Sequence, residues 1–444
     1  MNVGFISLGC SKNRVDTEIM IGILKKAGYK IVSDPRKAEL VIINTCGFIT
    51  EAKEEAIQTI LDTARLKEEG ILQYLLATGC LAQRYPQDLF DELPELDAIV
   101  GISAFIQIDK IVEKVLRGER VWCVSSPSKT FIEKGPRVLT TPKGAAYLKI
   151  GEGCNNWCSY CAIPSIRGNL RSRPVVELVD ESKQLVQDGV RELTLIAQDT
   201  ANYGQDLTDG SHLVPLVKAL DRIDDLEWIR LMYLHPAHIP NDLVECFTSC
   251  KKLVPYVDIP IQHVSDRILK SMNRHHSGEY LYKFFRKLKD QIPDLVLRTT
   301  VMVGFPGETE EDFTQLFDFV QEMEFDWLGV FCFDPEEGTK AFSMEQQVPE
   351  EVKIERRDKI MRLQKRISRS KNMQRVGTKE RVLVSSKVSK NLWIGRTAFQ
   401  APEVDGITMI KSDRNLIMGN FENVAVKGIR EYDLIGELED EHTK

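Results

Sequence analysis

Along the first 117 residues, short apolar runs alternate with longer stretches in which apolar positions recur every three or four residues. The runs "VGFISLG" (3–9), "AELVIIN" (38–44), "QYLLATG" (73–79) and "AIVGI" (98–102) predict buried strands. The stretches 14–28 and 51–70 predict helices between them. Strands that alternate with helices imply a parallel sheet with helices on both faces, a doubly wound α/β domain. Residues 118–139 lose the pattern, carry Pro, Ser and Thr, and read as a linker.

A second strand–helix series occupies residues 140–372. Its predicted strands are 145–150, 192–197, 227–234, 257–262, 295–303 and 327–333. The helix predicted at 174–189 has Pro174 suited to its first turn and Gly189 to its end. Six such units predict a partial or complete α/β barrel, with its chemistry at the C-terminal ends of the strands. A basic helix, 351–374, leads out of it. Residues 373–441 change character: short β-branched runs divided by turn residues predict a small antiparallel β-barrel that serves as a binding module.

Composition narrows the setting. At 444 residues the chain is long enough for two or three domains. It has no apolar run of membrane-spanning length and no export signal at its start, which predicts a cytoplasmic protein. Ten cysteines in a reducing compartment then point to metal or redox chemistry rather than disulfides. A net charge of −7 argues against a general nucleic-acid binder and suits a basic partner. Residues 373–440 balance ten basic against ten acidic side chains, whereas a nucleic-acid barrel should carry a positive excess.

The sharpest chemical signal is "GEGCNNWCSYCAIP" (151–164), directly after the first strand of the second series. Cys154, Cys158 and Cys161 can ligate three corners of a cubane and leave the fourth iron open, as a catalytic metal site does. A zinc site with a distant fourth ligand is the bland alternative. Three further cysteines, Cys10, Cys46 and Cys80, each follow a predicted strand of the first domain. Loops at one edge of an open parallel sheet converge, so these three could form a second cluster site. Read singly, each would be a small buried apolar residue. Cys123, Cys246, Cys250 and Cys332 fit neither trio; Cys246 and Cys250, four apart in a helical pattern, read as structural. His275–His276 reads as a surface loop.

The C-x3-C-x2-C spacing, with Tyr160 before the last cysteine, resembles the radical S-adenosylmethionine (SAM) signature. "SLGCSKNRVDTE" (7–18), "INTCGFITEAKEE" (43–55) and "TGCLAQRY" (78–85) resemble the methylthiotransferase N-terminal domain, and "TAFQAPEVDGI" (397–407) resembles the TRAM signature. The whole chain is therefore similar to the methylthiotransferase family of radical SAM enzymes. "LGCSKNRVDTE", "RLMYLHP" (230–236), "PIQHVSDRILKSMNR" (260–274) and "RTTVMVGFPGETEEDF" (298–313) resemble its RimO-type branch, although Ser11 stands where that branch usually has Pro.

That resemblance implies a methylthiotransferase N-terminal domain at 1–117, a radical SAM core at 140–372 and a TRAM domain at 373–441. It implies two 4Fe-4S clusters and SAM as cofactors, with Cys10, Cys46, Cys80, Cys154, Cys158 and Cys161 as ligands. The cluster on the second trio would cleave SAM, and the adenosyl radical would take a hydrogen from the β-carbon of an aspartate in small-subunit ribosomal protein 12. The other cluster would deliver a methylated sulfur. Tyr160, Gln198 and Gly304, in "VGFPGET" (303–309), would contact SAM, with Asp199 and Glu308 as polar neighbours. An electron donor and a sulfur carrier are implied partners; nucleic-acid contact is secondary and membrane contact absent. Two rival readings stay open here: the same chemistry on a tRNA adenosine, and a non-catalytic iron–sulfur or zinc scaffold that binds ribosomes.

Overall fold

The structure is a computed structural model and describes residues 1–439, so the barrel boundary expected at 441 lies outside the described residues. The chain divides into two compact units. The first comprises 1–140, 151–172 and 334–342; the second comprises 141–150, 173–333 and the chain from 343 onward.

The first unit is built on a six-stranded parallel sheet: β1 (Asn2–Ser7), β2 (Lys30–Val32), β3 (Leu40–Thr45), β4 (Tyr74–Gly79), β5 (Ala98–Val100) and β6 (Val121–Cys123), in the order β2-β1-β3-β4-β5-β6. Every residue of β3 is buried, as expected of a central strand covered on both faces. Ile43, Leu75, Ala77 and Ile99 pack with Ala56, Ile60 and Ala64 in one core. Register aligns the strand ends: Thr45 pairs with Gly79, and Ser7 with Asn44. Helices follow at once, α1 (Ser11–Lys26) after β1, α2 (Thr50–Glu68) after β3 and α3 (Cys80–Arg84) after β4.

Two edge strands differ from the sequence reading. β2 was not expected, and β6 falls inside the stretch read as a linker. Both are three residues long, too short to show a period, and β6 has only Val121 buried. The rest of that stretch is also anchored. Glu133 is buried and accepts from Arg171 (2.8 Å), while Glu18 accepts from Arg137 and the Thr140 backbone (2.5 and 2.8 Å).

The second unit starts with β7 (Ala145–Lys149), whose continuation, β8 (Gly151–Glu152), pairs antiparallel with β9 (Arg171–Ser172) within the first unit. Its sheet is completed by β10 (Glu192–Ile196), β11 (Trp228–Leu231), β12 (Leu253–Asp258), β13 (Val296–Val303) and β14 (Trp327–Cys332). All pairings are parallel and neighbours follow chain order from β7 to β14, so the array is an open, partial (βα)6 barrel. β12 begins four residues before the expected 257. Pro255, which cannot donate to a ladder, hid it; the register against β11 shifts around that position. Pro174 takes the position just before the helix Val175–Gln187 rather than its first turn.

Five strands close the C-terminal barrel: β15 (Lys379–Lys387), β16 (Leu392–Thr397), β17 (Thr408–Lys411), β18 (Phe421–Arg430) and β19 (Asp433–Leu438). Four pairings are antiparallel, but β17 and β19 run parallel, a correction to the all-antiparallel expectation. The barrel packs on strand starts of the second sheet: Trp228 and Trp327 join Phe399, Ala401 and Leu434 in one cluster. Full burial of such a large side chain contributes about 2–3 kcal/mol. Burial alone would raise the Glu192 carboxyl, but the guanidiniums of Arg396 and Arg230 hold it below its ordinary value and tie barrel to sheet. The "TAFQAPEVDGI" stretch is a fastener in the same way. Gln400 Oε1 accepts from the Thr397 backbone, and Asp405 accepts from Tyr256 Oη (2.7 Å) and the Ala401 backbone (2.8 Å).

Candidate metal centre

Parallel register builds the first part of the site. Because Thr45 and Gly79 are paired, Cys46 and Cys80 leave adjacent strands at the same level, about 5 Å apart in backbone terms. Cys10 leaves β1 on the other side of β3 and immediately precedes α1. Each cysteine has a glycine neighbour: Gly9, Gly47 and Gly79. Gly9, at φ +83°, lies so close to Cys46 that an added Cβ would be 2.8 Å from its Cβ and 3.1 Å from its Sγ. The three thiols sense one another. Burial pushes Cys46 up, and Cys10 adds to this; burial pushes Cys80 up to about 12, with Cys10 and Cys46 contributing and Arg167 opposing. Arg84, at the end of α3, anchors that short helix to the Gly47 carbonyl and to buried Glu336.

The second part is a single loop. Its base is the β8–β9 hairpin, and its return strand clamps the first cysteine: Cys154 N–H donates to the Gly168 carbonyl (3.0 Å), and Asn155 Oδ1 accepts from Leu170 N–H (3.0 Å). Gly153, at φ +80°, leaves no room for a side chain, since a Cβ would stand 2.1 Å from the Asn169 carbonyl. Cys161 N–H closes a turn on the Cys158 carbonyl (3.0 Å). Tyr160 is half-buried between these two cysteines.

The two parts are neighbours within the first unit. Cys80 packs against Ala162 and Ile166, on the segment that follows Cys161. Arg167, next in chain, is fully buried. Its Nε donates to Cys80 Sγ at 3.3 Å, and its Nη atoms donate to Glu152 (2.7 Å), Asp16 (3.3 Å) and Asn13. The sequence reading missed this residue: "AIPSIRG" looks like an ordinary helical turn.

Among the described residues none of the ten cysteines is in a disulfide. Among the described residues, the one set of three His, Cys, Asp or Glu donors drawn within 4.8 Å of one another is Asp199–His235–His238. The all-thiol donor set of each trio, soft thiolate ligands from three cysteines, fits an iron–sulfur cluster.

The other expected residues belong to the second unit. Gln198 follows β10 and is half-buried; Asp199 beside it accepts from His235 N–H (3.2 Å) and contacts His238 Nδ1 (2.7 Å). Gly304 follows β13 at φ +74°. Its N–H donates to Glu308 Oε2 (2.8 Å), and Arg356 holds Oε1 of the same carboxylate (2.7 Å), so Glu308 braces the 304–308 turn. His276 is not an isolated surface residue. Its ring packs edge-on to His235, 5.8 Å between centroids, and His235 stacks on His238 at 4.8 Å. Burial, then the charge of Arg274, lowers both His235 and His276, the latter to about 3. The spacing of "LHPAH" was the signal available for that group. Cys246 and Cys250 are buried in the same unit.

Sheet, loop and thiols define a class, and comparison with known proteins agrees. The Radical SAM superfamily profile matches residues 148–320, the TRAM domain profile 376–438, and an uncharacterized protein family, UPF0004, residues 2–101. A ribosomal protein uS12 methylthiotransferase RimO from Syntrophomonas wolfei is 55% identical over 99% of this chain and 100% of its own. The protein of the same name from Clostridioides difficile is 45% identical over 99% of each. The chain belongs to the RimO family. Among solved structures, the radical SAM methyltransferase TsrM from Kitasatospora setae shares the fold, with a TM-score of 0.55 at 13% identity over 87% of this chain and 79% of its own.

Proposed function

We propose that this protein is a radical SAM methylthiotransferase that adds a methylthio group to the β-carbon of an aspartate in ribosomal protein uS12, using two SAM molecules and a sulfur donor. The observation that carries this reading is the pair of cysteine trios side by side in one unit, in a chain similar along its full length to RimO proteins. Cys154, Cys158 and Cys161 would hold one 4Fe-4S cluster, and Cys10, Cys46 and Cys80 a second. Three protein ligands apiece would leave one iron of each cluster for another ligand, SAM on the first and sulfur on the second. When bound, these groups supply homolytic hydrogen abstraction, which a non-acidic β-carbon requires.

The chain's own residues shape the sites. The β8–β9 hairpin closes the base of the loop that carries Cys154, Cys158 and Cys161, and the β3–β4 register brings Cys46 and Cys80 level. Tyr160, Gln198 and Gly304 are the SAM-contacting positions in this reading. An electron donor and a sulfur carrier complete the system. Among the described residues no helix is long and apolar enough to cross a membrane.

The test is to incubate the anaerobically reconstituted protein, SAM, a reductant and sulfide with uS12 and, separately, with tRNA. A sulfur-plus-methyl mass gain on the uS12 aspartate is expected. A gain on tRNA alone would replace uS12 as substrate, and zinc without acid-labile sulfide would leave only a scaffold.

A further inference from the structure

We infer that Arg167 is a positioning residue for the N-terminal cluster: its guanidinium holds the Cys80 sulfur and raises the reduction potential of the cluster ligated there. This rests on the two-cluster reading above.

Geometry separates this role from that of a plain buried ion pair. Arg167 is 2% exposed and its charge is already matched by two buried carboxylates, Glu152 and Asp16. Those acids and Asn13 engage only the Nη groups. The remaining donor, Nε–H, points at Cys80 Sγ from 3.3 Å. A guanidinium has five N–H donors in a fixed fork, so locking the Nη side on three acceptors also fixes where Nε–H points. The carboxylates therefore aim the donor at the sulfur as well as neutralise the charge.

The consequence for a cluster follows from electrostatics. Reduction adds negative charge, and a cation with an N–H on a ligand sulfur stabilises the more negative state, which raises the potential. The effect is large only where water is excluded, and Cys80, Ala162 and Ile166 are all buried around this contact. Position in the chain adds a second property. Arg167 ends the helix Ile163–Arg167 that begins two residues after Cys161, so the loop that supplies one trio also delivers the hydrogen bond to the other. The N-terminal cluster should then depend on the central loop being folded.

The experiment uses full-length protein in which Cys154, Cys158 and Cys161 are Ala, so that only the N-terminal cluster is present, with Arg167 kept or replaced. Arg167→Gln removes the charge. Arg167→Lys keeps a cation against Glu152 and Asp16, preserving the fold, but loses Nε–H. Potentiometry followed by electron paramagnetic resonance should give a more negative midpoint for Gln, with Lys between Gln and the parent. Resistance of the cluster to a chelator should fall about 10–100-fold for Gln. In the reciprocal background, with Cys10, Cys46 and Cys80 as Ala, the central cluster's midpoint should not move. Unchanged midpoint and chelator resistance in both Arg167 variants would overturn the inference while the two-cluster reading stands. Unsubstituted protein that binds no more than one 4Fe-4S cluster per chain would overturn that reading, and this inference with it.

Discussion

The two cysteine trios are assembled by opposite routes. Cys154, Cys158 and Cys161 lie within eight residues on one loop, closed by a two-residue hairpin. Cys10, Cys46 and Cys80 are 36 and 34 residues apart and meet because three parallel strands end in register. A local site needs one turn to form; a non-local site needs the whole sheet, and so inherits the sheet's cooperativity. Damage to the first unit's core should therefore be felt at the N-terminal trio before the central one.

Removing each trio makes the largest test. Cys154/Cys158/Cys161→Ala and Cys10/Cys46/Cys80→Ala should each abolish methylthiolation of uS12 and each halve iron and sulfide per chain, read by anaerobic metal analysis. Next comes the core. Ile43→Ala, in fully buried β3, should cost about 2–4 kcal/mol in denaturant unfolding and loosen the N-terminal cluster to chelators more than the central one. Equal loosening of the two clusters would break the distinction drawn here.

Single glycines sharpen it further. Gly9→Val, at φ +83° with a Cβ directed onto Cys46, should cost about 1–3 kcal/mol and lower iron bound at the N-terminal trio only. Gly153→Val should do the same at the central trio, through the Asn169 carbonyl. The smallest effect is a control in the second unit. Burial alone would raise Asp312, but hydrogen bonds from Ser265, Thr309 and Arg267 lower it to about 2. A folded value below the unfolded 3.8 means that this group's stabilisation is complete above pH 3.8 and is lost as pH falls toward 2. Asp312→Ala, which removes the capping box with Thr309, should cost about 1 kcal/mol at neutral pH, flatten that acid limb and leave both clusters intact.

Legibility followed length and locality. Strands of five or more residues with continuous burial, such as β3 and β10, were readable from apolar runs alone. The three-residue β2 and β6 were not, because three residues carry no period and their place is set by neighbours already in the sheet. Pro255 hid the start of β12 for a related reason: a residue that weakens a strand locally is tolerated where the register shifts. The cysteine residues were all visible. His276 was misread as surface because nothing in "RHHS" shows that its ring packs on His235, forty-one positions earlier.

By itself the sequence determined the alternation of strand and helix, the trio within one loop, and the thiol at the end of each of three strands. These depend on the spacing of residues along a chain whose local geometry is constrained. Only the tertiary structure decided that the two trios adjoin and that Arg167 spans from one to the other. The guanidinium and the Cys80 sulfur are 87 residues apart, and their 3.3 Å contact exists because sheet register, hairpin and buried acids are satisfied together.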